Sequence, residues 1–436
     1  MAELRFEFDW TDPLGARGDE LRATWARLLI LVHDAPVTRL LDERAKTVRD
    51  SIYVPLYPLA EWFATHWWAL CHELETPERA GQPDYRSRHS LVTAREGYSL
   101  PSLQFQSSGE LVCLAWNYEK LPHHGIEFIS QGSAYIGLKD FEQTVADFIE
   151  SVIARLRECG IENTLLQSEW AAITDTSQEE QDYCRAAAAL GFDPYELDDT
   201  SRDAIVALGE RVPTGLRHEF FAAARLGELA THVQQLADAL RATTENEADL
   251  VVIRRLRQNG FDTLPPLTPW ERGYTVAQHL RSLLNVGNRP LSSLGKLSEA
   301  FELDESELNR ALLNPASDKP FFDAVVGVNT VGSPGFMIRS HSKEAQLFHF
   351  CRGLCEYIVD GNGPPSLLTR TSSDRQRRNR AFAAEFLAPS AALRDMVRTP
   401  SLSMENVDEL ARHFGVSYYV IQHQLSNHQI ANPSSD

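Results

Sequence analysis

Four side chains that could bind a metal or exchange protons lie close together near the C-terminal end of the chain: His349, Cys351, Cys355 and Glu356. Cys351 and Cys355 are four residues apart, so they share one face of a helix, and two thiolates could hold zinc. His349 lies two residues before Cys351, about 200° around a helix, and points away from both thiols. Because cysteines on an apolar helix usually belong to the core, we expect no metal and keep Cys351 and Cys355 as candidate ligands only.

Charged side chains on the same segment and beyond it could make ion pairs or bind an anionic partner. Arg352 and Glu356 are also four residues apart, which predicts a salt bridge between them. Residues 370–380 contain five arginines, namely Arg370, Arg375, Arg377, Arg378 and Arg380. Such a cluster could bind nucleic acid or an acidic protein. The alternatives are a solvated loop and helix start, or docking on an acidic segment of the same chain.

The elements around these residues are predicted from hydrophobic periodicity and from turn residues. The expected helices and strands of this C-terminal part are helical segments over 270–312, strands at 323–330 and 335–339, a helix over 345–359, a loop at 361–366 and a helix over 379–387. The four candidate metal-binding or proton-exchanging residues therefore lie on a predicted helix that follows two short strands.

The rest of the chain divides by composition into two further parts. Residues 1–170 are rich in tryptophan and predict an α+β domain, and residues 171–262 predict an acidic helical domain that ends at a proline-rich linker, 261–270. The predicted elements of these parts are a strand at 4–10, helices at 20–32, 53–74, 141–157, 179–190, 204–210 and 216–240, and a hairpin of 99–105 with 111–116. The third predicted domain is 263–436, and the overall fold class is α+β.

Composition restricts the function without defining it. The 436 residues contain 42 Lys and Arg against 61 Asp and Glu, a net charge of −19, which disfavours a general nucleic-acid coat protein. The segment 171–210 alone holds ten acidic and two basic residues, which indicates a solvated helical face or a patch for a basic partner. Six scattered cysteines do not suggest a disulfide framework, and neither a secretory signal nor a membrane span is visible. We therefore expect a cytoplasmic protein.

Three motifs in the last 170 residues resemble the ImmA/IrrE family of bacterial zinc metallopeptidases. They are Pro269-Trp270-Glu271-Arg272-Gly273-Tyr274, a helix with Phe348 after a strand pair, and Phe382-Ala383-Ala384-Glu385-Phe386-Leu387-Ala388-Pro389. The resemblance implies a metallopeptidase fold with an F-x-x-x-H-E-x-x-H helix. In that motif two histidines bind zinc, the glutamate acts as general base, and a downstream carboxylate completes the site.

The residues at those four positions differ from what zinc chemistry needs. Counted from Phe348, the two histidine positions hold Arg352 and Glu356, and the base position holds Gly353; counted from Phe382, the carboxylate position holds Gln376. A guanidinium repels Zn²⁺ and glycine cannot act as a base. His72-Glu73 and His218-Glu219 begin like the zinc motif but fail at the fifth residue, so we expect ordinary helix residues there.

A helix–turn–helix pattern lies at 407–425, with Ala411 at the helix crossing and Gly415 at the turn. Its second helix has no Lys or Arg, and residues 401–436 carry four acids against Arg412 alone. Since DNA affinity depends largely on phosphate neutralisation, we expect this pair to pack against its own domain.

Three functions follow from these observations. The leading hypothesis is a catalytically degenerate protein that binds a protein partner, and the resemblance implies a toxin–antitoxin, mobile-element or phage-defence context. The second is an active zinc peptidase with unusual ligands from Cys351, Cys355, Glu356 and Asp374, which would cleave a repressor-type protein. The third is a DNA-binding transcriptional regulator. The sequence gives no oligomeric state.

Overall fold

The computed structural model describes residues 3–12, 17–79, 82–257, 261, 268–316, 319–360, 365–399 and 401–433. Most of the predicted linker (262–267) and the first part of the predicted loop (361–364) lie outside these residues. The chain forms two compact units, Met1–Val206 and Ala207–Asp436.

The first unit combines small antiparallel sheets with helices. Its elements are β1 (Leu4–Trp10), α1 (Asp19–Ala23), β2 (Trp25–Val32), β3 (Ala35–Pro36), β4 (Leu40–Asp42), β5 (Thr47–Arg49), β6 (Ile52–Pro55), α2 (Tyr57–Thr65), α3 (Trp67–His72), α4 (Pro83–His89), β7 (Ser102–Ser107), β8 (Leu111–Asn117), β9 (Glu119–Leu121), β10 (Ile126–Phe128), β11 (Gly132–Gly137), α5 (Leu138–Glu158), α6 (Leu165–Thr174) and α7 (Gln178–Leu190). Helix α8 (Asp199–Gly209) crosses the boundary between the units.

The predicted strand at 4–10 is confirmed, but the predicted helix at 20–32 is wrong. After the short helix α1, residues 25–32 form β2, which pairs antiparallel with β1 from Leu4↔Val32 to Trp10↔Ala26. Every second residue of β2 from Ala26 to Val32 is buried, and this period of two belongs to a strand. A continuous apolar run hides that period from sequence inspection.

The other predictions for this unit are mostly confirmed. The hairpin exists as β7 and β8, paired from Ser102↔Asn117 to Ser107↔Val112. The helix at 141–157 is α5, and α7 ends at Gly191, whose φ of 89° is left-handed and suits glycine. The predicted helix at 53–74 is interrupted: β6 precedes α2, and His66 separates α2 from α3.

The second unit is mainly helical around one small sheet. Its elements are α9 (Arg217–Ala223), α10 (Leu229–Thr244), α11 (Val251–Leu256), α12 (Pro269–Leu283), α13 (Leu294–Ala300), α14 (Glu305–Ala311), β12 (Leu312–Leu313), β13 (Ala324–Val328), β14 (Pro334–Ile338), α15 (Lys343–Val359), β15 (Ser366–Leu368), α16 (Asp374–Leu387), α17 (Ser390–Met396), β16 (Ser401–Leu402), α18 (Met404–Phe414), α19 (Tyr418–Asn427) and β17 (Asn432–Pro433).

The sheet of this unit has the strand order β12-β14-β13-β15, with β15 at one edge. Helix α15 packs against this sheet, and α16 packs against both α15 and α12. The approach of α12 to α16 depends on Gly273, where a Cβ atom would come within 2.3 Å of the Arg378 carbonyl oxygen. The strands and helices predicted from residue 270 onward are present. The single helix predicted over 216–240 is instead divided into α9 and α10.

The structure has two compact units where composition predicts three domains. Residues 171–206, including α7, belong to the first unit, in which α7 packs on α3; residues from 207 onward, including α10, belong to the second, in which α10 packs on β13 and β14. Acidic composition reports solvent exposure rather than a separate core, which is why it places the boundaries differently.

Among the described residues, none of the helices combines the length and the apolar composition needed to cross a membrane.

Candidate functional site

Helix α15 carries three of the four positions that the resemblance assigns to zinc chemistry. The helix is capped by Ser342, whose hydroxyl accepts a hydrogen bond from the Ala345 amide, and it presents Arg352, Gly353 and Glu356 to the sheet and to α16. Gln376, the fourth position, lies in the first turn of α16. The structure brings all four residues into one buried region of the second unit.

Arg352 is a buried cation whose two terminal nitrogens both find acceptors inside the domain. Only 2% of the residue is exposed. Its Nη1 donates to Asp323 Oδ2 at 2.8 Å, and its Nη2 donates to the Thr369 carbonyl oxygen at 2.7 Å and to Gln376 Oε1 at 2.5 Å. The predicted salt bridge to Glu356 is therefore wrong, because Arg352 pairs with Asp323 on the strand side of the helix.

Asp323 is ionised in spite of its burial. Desolvation alone would raise the pKa of its carboxyl group, but the charges of Arg352 and His349 outweigh that effect and lower it. The His349 ring contacts the Arg339 carbonyl oxygen at 3.0 Å, and burial lowers its pKa. The sequence did not identify Asp323, because it stands 29 residues before its partner and outside every motif.

Glu356 is paired with a different set of cations, all from α16. Arg375 Nη2 lies 2.5 Å from Glu356 Oε2, and Arg378 Nη2 lies 3.0 Å from Oε1, where the Asn379 amide also donates. Burial would raise the pKa of the Glu356 carboxyl, but Arg378 and Arg375 hold it far below its ordinary value. Asp360 accepts from Arg378 at 3.0 Å, so two arginines face two carboxylates.

A residue without a side chain is required at position 353, because at this point α15 lies directly on the sheet. A Cβ atom at this position would come within 2.9 Å of Val326 Cγ2 and 3.0 Å of Phe336 Cδ1, closer than real Cβ contacts. Position 353 therefore has no room for a glutamate in this packing, and a general base cannot occupy it.

Side chains also cap the free edge of the sheet. The Leu368 carbonyl of β15 accepts from the amide of Asp323, the residue just before β13, so the carbonyls of Leu367 and Thr369 face outward. The outward carbonyl of Leu367 accepts from Gln376, that of Thr369 from Arg352 and Arg380, and that of Thr371 from Arg380. An extended peptide adds to a sheet edge through both backbone carbonyls and amides, and the carbonyls of this edge are already occupied.

Glu219 of α9 contributes a second buried carboxylate that the sequence did not predict as part of the site. Its Oε1 accepts hydrogen bonds from the hydroxyls of Thr369 and Thr371, and its Oε2 accepts from Ser373 at 2.7 Å. Ser373 is also the N-cap of α16. The interpretation of Glu219 as an ordinary helix residue is therefore incomplete, because it fixes the segment that leads from β15 to α16.

Three of the five arginines in the cluster, Arg375, Arg378 and Arg380, bind groups of the domain itself, although only Arg378 is buried. Arg375 and Arg378 neutralise Glu356, and Arg380, whose pKa is lowered to about 10 chiefly by burial, donates to the Thr369 and Thr371 carbonyls. Arg370 has a side chain 61% exposed and lies 3.7 Å from Asp323 Oδ1, and Arg377 is half-buried. The hydrophobic periodicity of the sequence did not show that Arg375 and Arg378 are the counter-ions of Glu356.

Cys351 and Cys355 belong to the core of α15. Both are fully buried, and burial raises the pKa of both thiols, that of Cys355 to about 12. Thiols held in the protonated form are poor metal ligands. Within the described ranges, no group of three or more His, Cys, Asp and Glu side chains is placed to hold a metal ion.

Glu385, which belongs to the motif around Phe382, connects helix α19 to the rest of the second unit. Glu385 is buried and accepts from Gln278 of α12 at 3.1 Å, from the Ser390 amide at 3.1 Å and from Gln424 of α19 at 2.9 Å. Gln424 also donates to the Ala388 carbonyl. Helices α18 and α19 flank Gly415, whose φ is 66°. One face of α19 is thus used inside the domain, while the DNA-binding assignment of the pair stays a prediction.

The four positions lie in an α+β domain, in which the helix that carries three of them packs against a small mixed sheet. Residues 336–426 match the peptidase M78 family, described as the IrrE N-terminal-like domain. The C-terminal region is therefore ImmA/IrrE-like, as its motifs indicated. No curated protein and no solved structure matches the chain.

The residues present do not fit the zinc ion that this family implies. The guanidinium of Arg352 lies at a ligand position and binds Asp323 and Gln376 itself, and Glu356 is bound by Arg375 and Arg378. A metal at this place would have to displace a buried guanidinium from its acceptors, and any guanidinium that stayed nearby would repel it.

Proposed function

We propose that the C-terminal domain is a catalytically degenerate metallopeptidase domain and that the protein works by binding a protein partner. The observation that supports this most directly is the set of bonds from the buried Arg352 guanidinium to Asp323, Thr369 and Gln376. A fixed organic cation replaces the charge that a metal would supply, and it cannot activate water.

Two further contacts support the absence of peptidase chemistry. Gly353 is enclosed by Val326 and Phe336, so no base fits there. The outward carbonyls of the sheet edge are bound by Gln376, Arg352 and Arg380, so they are already occupied and cannot accept from the amides of an extended substrate.

The proposed role is regulatory, in a bacterial toxin–antitoxin, mobile-element or phage-defence system. The resemblance to ImmA/IrrE proteins motivates this context, and the aromatic-rich first unit is the proposed partner-recognition part. The net charge of −19 favours a protein over a nucleic acid as the partner.

Metal analysis of the purified full chain tests the proposal. We expect zinc far below one ion per chain by elemental analysis, and no cleavage of a co-encoded repressor, with or without chelator. About one zinc per chain, or a cleavage that chelator abolishes, would contradict the proposal and favour a peptidase with unusual ligands.

A further inference from the structure

Strand β1 has one paired edge and one free edge. The Thr11 amide donates to the Trp25 carbonyl, and the His33 amide donates to the Glu3 carbonyl. The backbone amides and carbonyls of the odd-numbered residues of β1 therefore point toward β2. The backbone groups of Leu4, Phe6, Phe8 and Trp10 therefore point to the other side. Within the part of the chain that the structure describes, β1 pairs with β2 alone.

The side chains along this edge are aromatic and only partly covered. Phe6 packs on Phe63 and Phe148, Phe8 packs on Phe148 at 5.9 Å, and Arg155 lies over the Trp10 ring at 5.5 Å. Nevertheless Phe6, Phe8 and Trp10 are each only half-buried. Proteins protect an exposed edge with proline, a bulge, a short strand or charged side chains. Strand β1 is a regular seven-residue strand without proline, and its charged side chains are Arg5, Glu7 and Asp9.

The charged side chains lie on the opposite face of β1. When a second copy of this strand runs antiparallel to the first, its acidic and basic residues can lie opposite each other. Arg5, Glu7 and Asp9 alternate on the solvent face. If two such strands run antiparallel about Glu7, Arg5 of each lies opposite Asp9 of the other, and Phe6 lies opposite Phe8. This register has two opposite-charge pairs and one like-charge pair, Glu7 with Glu7 at the centre. A shift of two residues one way gives two Glu7–Asp9 pairs and no opposite-charge pair, and a shift the other way gives two Arg5–Glu7 pairs but also two Glu3–Asp9 pairs. Since like charges directly opposite are destabilising, the central register has the best balance.

We propose that β1 is a docking edge for a second copy of this chain, joined antiparallel with Glu7 on the two-fold axis. This register pairs all of Leu4–Trp10 and covers the half-buried aromatic row. Asp9 already lies 2.6 Å from Arg27, and it would then bridge two guanidiniums. The two Glu7 carboxylates that meet at the axis each have Arg5 of their own strand at 3.7 Å.

Cysteine cross-linking tests the register in the full-length protein. In a Cys159→Ser background, which removes the exposed native thiol, Glu7→Cys places two thiols at a non-hydrogen-bonded pair with Cα atoms about 4.5 Å apart, suitable for a disulfide. The matched control Arg5→Cys separates its two thiols by roughly 13 Å along the strands. We expect a disulfide-linked dimer from Glu7→Cys and background cross-linking from Arg5→Cys.

Sedimentation equilibrium tests the charge complementarity without any cross-link. Arg5→Glu or Asp9→Arg alone should weaken the dimer about tenfold or more. The double swap Arg5→Glu/Asp9→Arg should form a tighter dimer than either single variant, but a weaker one than wild type, because Arg27 and Glu7 of the same chain then face like charges. Arg39→Glu, an equal charge change at an exposed site outside β1, should leave the dimer intact. A monomeric wild-type chain, or equal cross-linking of Glu7→Cys and Arg5→Cys, would overturn the proposal; neither result bears on the zinc measurement.

Discussion

At the scale of single residues, Arg352 decides the chemistry of the site, and its loss should cost stability. Arg352→Met leaves the buried Asp323 with only the mostly exposed Arg370 as a nearby cation, and we expect the free energy of unfolding to fall by about 3–5 kcal/mol. Arg370→Met removes a mostly exposed cation 3.7 Å from the same carboxylate and should cost less than about 1 kcal/mol. Urea unfolding of both variants measures the difference, and equal losses would show that Arg352 does not hold Asp323.

Glu73 in the first unit predicts an acid dependence of stability. The buried carboxylate accepts from Arg88 at 2.7 Å and lies 3.1 Å from His89 Nε2. Burial would raise its pKa, but His89 and Arg88 lower it from 4.5 to about 2. The folded pKa lies below the unfolded one, so this stabilisation is present above pH 4.5 and is lost as the pH falls toward 2.

The charge of Glu73 is therefore worth on the order of 3 kcal/mol at neutral pH. Glu73→Gln should unfold more easily at pH 7, and its difference from wild type should shrink between pH 4.5 and 2. Chemical denaturation at a series of pH values measures this, with Glu150→Gln, an exposed position on α5, as the control. A difference that stays constant with pH would exclude a charge effect.

At the scale of elements, the contact between α15 and the sheet depends on Gly353. Alanine raises helix propensity by up to about 1 kcal/mol, yet its Cβ would meet Val326 and Phe336 at 2.9–3.0 Å. We expect Gly353→Ala to lower stability by about 1–3 kcal/mol through overpacking. Gly295→Ala on α13, where the nearest atom is a carboxylate oxygen of Glu305 at 3.3 Å, should be neutral or stabilising in thermal unfolding. A stabilised Gly353→Ala would mean that the helix can move away from the sheet.

Much of the C-terminal fold could be predicted from local signals, whereas the site's contacts could not. The motif at Phe382 and the spacing from Phe348 select Arg352, Gly353, Glu356 and Gln376, and the structure places these residues in one buried region. The i, i+4 rule then paired Arg352 with Glu356, although each side chain finds a stronger partner from another element: Asp323 before β13 and the arginines of α16. Helix geometry is a local property, but ion pairing is decided by whichever opposite charge shares the buried space.

Strand β2 shows the same limit at the scale of one element. Its apolar run satisfied a helical period as well as a strand period, and pairing with β1 and β6 decides between them. Such tertiary overrides are common for short apolar segments. The hairpin of β7 and β8 was predictable because its Ser-Gly turn is a local signal.

At the scale of the whole molecule, the match to the IrrE-like family covers less than the folding unit requires. Residues 336–426 omit β13, the strand between β14 and β15, together with α12 and Glu219. We therefore expect a fragment 336–426 to remain unfolded, because Asp323 and the hydroxyl acceptor Glu219 are missing from its buried network. Fragment 199–436, which begins with α8 and keeps all of these groups, should fold cooperatively.

Circular dichroism and amide exchange of the two fragments provide the measurement, and Glu219→Gln in fragment 199–436 separates the two causes of failure. If the carboxylate matters, this variant should fold but lose protection at Thr369 and Thr371, whose hydroxyls donate to it. If only the missing strand matters, protection should be unchanged. A folded fragment 336–426 would contradict the expectation and show that the three-residue strand β15 and α16 suffice to hold α15 without β13.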